Sequence, residues 1–292
     1  MTDVHPGRRL RDRLANGTVL MPGVWDPLSG RLAADAGFST LFLSGYCVSG
    51  TMLGVPDVGL LTQTEMADAA RRISAAVPGV ELVVDADTGY GNALNAIRTV
   101  ELWRQAGAAG IFIEDQLWPK RCGHMDGKRV VDRGEWLSKL RAAVAHADGM
   151  HVTARTDARA AVSLDEALER GRMARDIGVD AVFVEAPESV AELERIAAAL
   201  DGTVLVANMV EAGRTPLLNP AELDALGFRL VVSPVGGLFA ATKALRDAFA
   251  ALHSHGTLRD RLDSLVGFAE FGTIVGLPAH DAEAARFAAD GP

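Results

Sequence analysis

Short apolar runs recur along the chain, and after most of them apolar positions return every three or four residues. The runs predict strands at Thr18–Pro22, Thr40–Leu43, Glu81–Val84, Gly110–Ile113, His151–Ala154, Ala181–Val184, Val204–Ala207 and Leu230–Val232. Most are apolar at nearly every position, as strands covered on both faces of a parallel sheet are. The longer periodic stretches predict helices at Thr64–Ala76, Asn92–Ala106, Arg133–Ala147, Leu164–Ile177, Val190–Leu200 and Pro220–Leu226. Gly107, Gly178 and Gly227 stand where helices end, as C-caps do. This alternation is that of a (β/α)8 TIM barrel. A doubly wound open sheet would have fewer strands and a glycine-rich turn after the first, and the sequence has no such turn.

The same pattern predicts a single barrel domain over residues 1–292, with 256–292 a helical C-terminal extension. Gly237–His255 reads as the eighth helix, and Leu258–Phe271 and Ala279–Ala289 as further helices. Their apolar stripes need cover, from the barrel or from another subunit.

Composition narrows the class. The chain has 292 residues, 49% of them hydrophobic and only 5% aromatic, so its core is built from Ala, Val, Leu and Ile. A net charge of −9 argues against a nucleic-acid partner. Arg8, Arg9, Arg11 and Arg13 form one basic patch, which reads as a solvated helix face. No apolar run approaches the ~20 residues of a membrane helix, and the N-terminus lacks a secretory apolar segment. Two cysteines make no disulfide framework and fit a reducing cytoplasm.

Barrel active sites lie at the carboxyl ends of the strands, and polar groups follow nearly every predicted strand. Asp85 and Asp87 follow the third, and Glu114 and Asp115 the fourth. Asp85, Asp87 and Glu114 are hard oxygen donors of the kind Mg2+ prefers, with Mn2+ as a substitute. Two acid clusters on adjacent strands favour a metal over solvated loop acids. Cys122 lies in the polar stretch Pro119-Lys120-Arg121-Cys122-Gly123-His124, whose cations favour a thiolate. That composition suits a mobile lid. Cys47 reads as an inert buried thiol. Arg155 matches the geometry of a substrate carboxylate, or pairs with Asp157 or Glu185. Asn208, Glu211, Arg214 and Thr215 bind a second carboxylate or form a turn, and Ser44-Gly45-Tyr46 offers backbone N–H groups to an anion.

The motifs D-A-D-T-G-Y-G-N-A-L-N, E-D-Q-x-x-P-K-R-C-G-H and A-R-T-D-A resemble those of the isocitrate lyase/phosphoenolpyruvate mutase superfamily, over about Leu20 to Gly237. The segment L-S-G-Y-C-V-S-G-T-M-L-G-V-P-D-V-G-L-L-T is most similar to its petal death protein, oxaloacetate hydrolase and 2-methylisocitrate lyase branches. The resemblance implies a Mg2+-dependent barrel in a homotetramer, a dimer of dimers that exchanges C-terminal helices. By the same resemblance Asp57, Asp85, Asp87 and Glu114 surround the metal and its waters, and Ser44, Gly45 and Tyr46 hold an α-keto acid carboxylate. Gly123, Asn208, Glu211 and Thr215 join Asp57 among the substrate-binding positions. Arg155, Glu185 and His124 work at the reacting centre, and Cys122 protonates an enolate.

The expected activity is a carbon–carbon lyase that splits a 2-hydroxy di- or tricarboxylate by retro-Claisen chemistry into an α-keto acid and a carboxylate. Oxaloacetate hydrolysis is a close variant. A phosphonomutase using the same centre and a non-catalytic keto-acid-binding protein are the rival readings.

Overall fold

The computed structural model describes residues 5–123, 125 and 127–288; the predicted site residue His124 lies outside them. Eight parallel strands close into a barrel in chain order: β1 Val19–Val24, β2 Thr40–Leu43, β3 Glu81–Asp85, β4 Gly110–Glu114, β5 His151–Thr156, β6 Ala181–Val184, β7 Val204–Asn208 and β8 Phe228–Ser233. The barrel closes through β8 on β1, where Val19 pairs with Leu230 and Pro22 with Ser233. The predicted fold is therefore observed. Six strands run further than their predicted bounds, and in β3, β4, β5 and β7 the ladder continues under polar residues: Asp85 pairs with Phe112, Glu114 with Arg155, and Asn208 with Val232. These side chains are thus fixed in the sheet instead of hanging from loops.

Two apolar layers hold the barrel. One lies between strands and helices and includes Leu82, Val84, Ile111 and Ile113 with the buried rings of Trp103 and Trp136. The other fills the interior with Met21, Phe42, Val83, Phe112, Phe183, Val206, Leu230 and Val232. Successive strand residues face opposite ways, so both layers come from the same strands.

Helix α1, Pro6–Asn16, carries the N-terminal arginines. Leu10 and Leu14 join the interior cluster and are buried, so this helix plugs the amino-terminal mouth. The expectation that its arginines form a solvated face holds for Arg8 but fails for three. Arg9 and Arg13 bind the two oxygens of the fully buried Glu81 at 2.8 and 2.9 Å. Arg11 binds Asp180 at 2.6 Å and the carbonyls of Gly149 and Met150. A carboxylate buried at the barrel floor requires such cations. Gly7 lies so close to the carbonyls of Gly149 and Ala109 that a side chain would not fit.

Compact contacts divide the chain into Met1–Leu238 and Phe239–Pro292. In the second unit, the stretch Arg259–Arg286 is long and apolar enough by composition to match a membrane span, which the sequence reading did not anticipate. It is broken into a 3-10 helix at Arg259–Ser264 and helices Phe268–Ile274 and Leu277–Arg286, the longest only 10 residues. Extended backbone at Leu265 and left-handed Gly276 interrupt it, so no piece reaches the ~20 residues a bilayer requires.

Candidate active site

The period of two places the chemistry. Val83, Phe112, Phe183 and Val206 face the interior, so the residues two positions on (Asp85, Glu114, Glu185 and Asn208) share that face one step nearer the carboxyl-end rim. Phe42, Phe112 and Phe183 stack beneath, with ring centres 5.1 and 5.8 Å apart. The Arg155 guanidinium lies 5.4 Å above the Phe183 ring, a cation over an aromatic face. An apolar floor under ionised groups lowers the local dielectric and strengthens every charge contact above it.

Glu114 is buried, and its Oε1 has no hydrogen-bond partner. Burial drives its carboxyl well above the usual range, although Arg155 pulls the other way. Asp87 sits at a left-handed φ of 46°, and its N–H donates to Asp85 Oδ1 at 3.1 Å. Burial raises its carboxyl to about 7 despite Lys120, and Asp85 adds to the rise. Left-handed backbone at a non-glycine residue is typical of a functional loop. The loop is also tied to β4, where Glu114 N donates to Asp87 O at 2.8 Å.

Lys120 was expected to act on the thiol of Cys122; its ammonium is instead committed to Asp57 at 2.5 Å and Asp87 at 2.7 Å, all three side chains at most 7% exposed. Carboxylates held out of water need a cation, and in this geometry Lys120 supplies it. Among the described residues no three Asp, Glu, His or Cys side chains converge as a ready metal cage. The donor chemistry nevertheless fits a hard divalent cation: every nearby acid offers oxygen, Glu114 Oε1 lacks a partner, and burial together with Asp85 holds the Asp87 carboxyl up even beside Lys120.

Arg155 realises both of its alternative partnerships. It forks onto Asp157 at 3.0 and 3.2 Å and reaches Glu185 and Glu114 at 3.4 Å each. Asn208 Nδ2 donates to Glu185 at 3.4 Å, leaving its Oδ1 free of partners. Glu211 accepts from Ser233 at 3.1 Å, and buried Thr215 has an unpartnered hydroxyl. Ser44 caps a short helix, Gly45–Val48, and Gly45 lies against the Asp85 carboxylate. Burial raises the Tyr46 hydroxyl, with Cys122 the next contributor. Cys47 is buried, its thiol donates to Pro234 O at 3.2 Å, and burial lifts it to about 12.

The lid is a loop whose stem is an antiparallel bridge between Gln116 and Val130. Gln116 clamps Arg121 from both sides, accepting from its N–H at 3.0 Å and donating to its carbonyl at 2.8 Å. Cys122 N donates to Asp57 O at 3.2 Å. Gly123 is packed so tightly that a Cβ would lie 2.5 Å from Glu185 Cδ and 2.7 Å from Arg155 Nη2. This loop is therefore folded down against Glu185 and Arg155.

Lys128 has no signal in the sequence, and Lys120 reads there only as a cation beside Cys122, because the carboxylates they meet, Asp157, Asp57 and Asp87, are distant along the chain. Asp115 also gains a specific role: it accepts from Thr156 Oγ1 at 2.6 Å, Asp157 N at 2.8 Å and Arg170 at 3.0 Å. It thereby holds the backbone beside Arg155.

Comparison with known proteins agrees with this architecture. Residues 10–253 match the family model for phosphoenolpyruvate phosphomutase. The chain is 45% identical to petal death protein of Dianthus caryophyllus, covering 90% of this chain and 83% of that protein. It is also 45% identical to 2,3-dimethylmalate lyase of Eubacterium barkeri, covering 89% and 90%. Among solved structures, oxaloacetate acetylhydrolase with the inhibitor 3,3-difluorooxalacetate superposes with a TM-score of 0.92 at 35% identity, covering 99% of each chain. Phosphonopyruvate hydrolase with oxalate and Mg2+ superposes with a TM-score of 0.87 at 29% identity, covering 97% and 99%. The chain belongs to the phosphoenolpyruvate mutase/isocitrate lyase superfamily.

Proposed function

We propose that the protein is a Mg2+-dependent carbon–carbon lyase that splits a 2-alkylmalate or 2-methylisocitrate type acid into an α-keto acid and a shorter carboxylate. The observation that carries this is the loop after β4: it folds Gly123, the residue after Cys122, against a centre where Arg155, Glu114 and Glu185 already meet. Relatives that act on 2,3-dimethylmalate and oxaloacetate support the substrate class. Asp85, Asp87 and Glu114 would hold the metal directly or through water. When bound, the metal supplies Lewis acidity that makes the substrate hydroxyl easier to ionise.

The chain's own groups do the rest. Arg155 pairs with a substrate carboxylate, oriented by the Asp157 fork. Backbone N–H groups at Gly45 and Tyr46 and the amide of Asn208 face the charge on the departing acid. A rim carboxylate takes the hydroxyl proton, the C–C bond breaks, and its electron pair becomes an enolate on the shorter acid. Cys122 then gives its thiol proton to the enolate carbon and is left as thiolate. The folded lid excludes water that would otherwise compete as proton source. His124 stays an expected participant in the reaction.

Assembly as a tetramer that exchanges C-terminal helices is part of the same proposal. Phe268, Phe287 and Leu262 are 97%, 75% and 66% exposed, and apolar surface of that kind calls for a partner. Two free thiols suit a reducing cytoplasm.

The test is a Mg2+ assay of 2,3-dimethylmalate, 2-methylisocitrate, citramalate and oxaloacetate, with products read by mass spectrometry. Turnover of at least one is expected, abolished by EDTA and restored by Mg2+. No turnover of any of them, or turnover that survives complete chelation, would refute the proposal. The phosphomutase family match favours one second reading, rearrangement of a phosphoenolpyruvate-like substrate; a new P–C signal in phosphorus NMR would establish it instead.

A further inference from the structure

Lys128 lies in the lid stem, six residues beyond the proposed acid Cys122, yet its side chain is only 1% exposed. Among the described residues its ammonium makes two contacts of different kinds. One is a hydrogen bond to the carbonyl of Gly123, the residue that follows Cys122. The other is an ion pair with Asp157 Oδ1 at 3.0 Å. Asp157 is fully buried and fixed to the barrel, because its N–H is held by Asp115 and Asp115 is held by Arg170 and Thr156. The same Asp157 oxygen accepts from Arg155 Nη2 at 3.2 Å.

We infer that Lys128 is the latch of the lid, a positioning residue that pins the Cys122–Gly123 segment over the reacting centre and ties lid closure to the placement of Arg155. A buried ammonium is costly unless it is fully paired, and both of its partners are in reach only when Gly123 is folded onto Glu185 and Arg155. With the lid lifted, Lys128 loses the Gly123 carbonyl, and Asp157 is left to Arg155 alone. The latch thus makes the thiol's position and the guanidinium's position parts of one arrangement. A neutral side chain at 128 would leave the Gly123 carbonyl without this donor and would leave the Asp157 charge to Arg155.

This role rests on the lyase reading, so its test includes one readout that does not need turnover. Limited digestion with an arginine-specific protease, which ignores position 128, reports lid opening through Arg121 and Arg129, both exposed lid residues. Lys128→Met is expected to speed cleavage at these sites at least tenfold, with the thermal midpoint of the barrel within a few degrees of wild type. Turnover should fall about 10²-fold, the loss expected when a reacting group is misplaced by about 1 Å. Lys128→Arg, assayed by kinetics alone, should recover much of the rate.

A double-mutant cycle then separates latching from general stability. In a Cys122→Ser background, Lys128→Met should cost far less than it does in wild type, because the group it positions is gone. Unchanged protease cleavage, or a full additive loss in the Cys122→Ser background, would overturn the inference. If Lys128→Met does not fold, Lys128→Gln carries the same comparison, since its amide still donates one hydrogen bond. If the lyase reading is wrong, turnover is absent throughout, and the protease result alone decides the latch.

Discussion

Gly123→Ala adds one methyl group where the lid meets the reacting centre. The new Cβ would stand 2.5 Å from Glu185 Cδ and 2.7 Å from Arg155 Nη2. Carbon contacts are comfortable at about 3.5–4.0 Å, so the overlap is about 1 Å on two sides. Neither neighbour yields easily: Glu185 is fully buried, and Arg155 is held by Asp157 and Glu114. The lid backbone must therefore rise by about that distance and carry Cys122 with it. A displacement of about 1 Å at a reacting group costs on the order of 10²-fold in rate, equal to about 2.7 kcal/mol of barrier. Steady-state kinetics on whichever acid the protein turns over should show kcat/KM lower by about that factor. Thermal melting should be little changed, because the lid adds nothing to the barrel core. A variant with kcat/KM within about threefold of wild type would show that the folded lid is not the reactive state.

Lys120→Met removes the ammonium shared by Asp57 and Asp87. Breaking a buried pair costs about 3 kcal/mol or more, so metal-free protein should melt roughly 5–10 °C lower, with part of the loss recovered on adding Mg2+; an unchanged melting temperature would contradict the counter-ion role. Burial depresses His151 to about 4, with Asp180 opposing and Arg11 assisting. Because the unfolded chain titrates near 6.5, the stability from keeping this ring neutral is complete above 6.5 and is lost as pH falls toward 4. The loss is about 3 kcal/mol across that window, and His151→Gln should remove that share of the acid sensitivity in urea titrations at stepped pH; an identical pH slope in the variant would disprove the assignment.

Fold and rim were legible for one reason: both depend on local pattern. All eight strands were apolar enough to be seen, and a polar or charged residue follows most of the runs. Strand ends were misplaced where Asp85, Glu114, Arg155 and Asn208 continue the ladder, because polarity marks an active-site face as readily as a loop. What stayed hidden were cations whose partners are distant in sequence. Arg9 and Arg13 find Glu81, Lys120 finds Asp57, and Arg170 finds Asp115. Nothing in the residues around a lysine or arginine says that a carboxylate from another strand awaits it. The broken run Arg259–Arg286 failed differently, since its apolar content exceeded what the residue-by-residue reading allowed.

The arginines of α1 carry a consequence for how the chain is made. This helix precedes every strand of the barrel in the chain, yet Arg11 needs Asp180 and the carbonyls of Gly149 and Met150. It cannot complete its contacts until β5 and the start of β6 have emerged and paired. The N-terminal helix therefore docks late in synthesis, sealing a barrel whose lower strands are already in place. Contacts of such long sequence separation are slow to form, so a nascent chain waits with Leu10 and Leu14 uncovered. In this molecule a helix that precedes the barrel in the chain is among the last pieces to be seated.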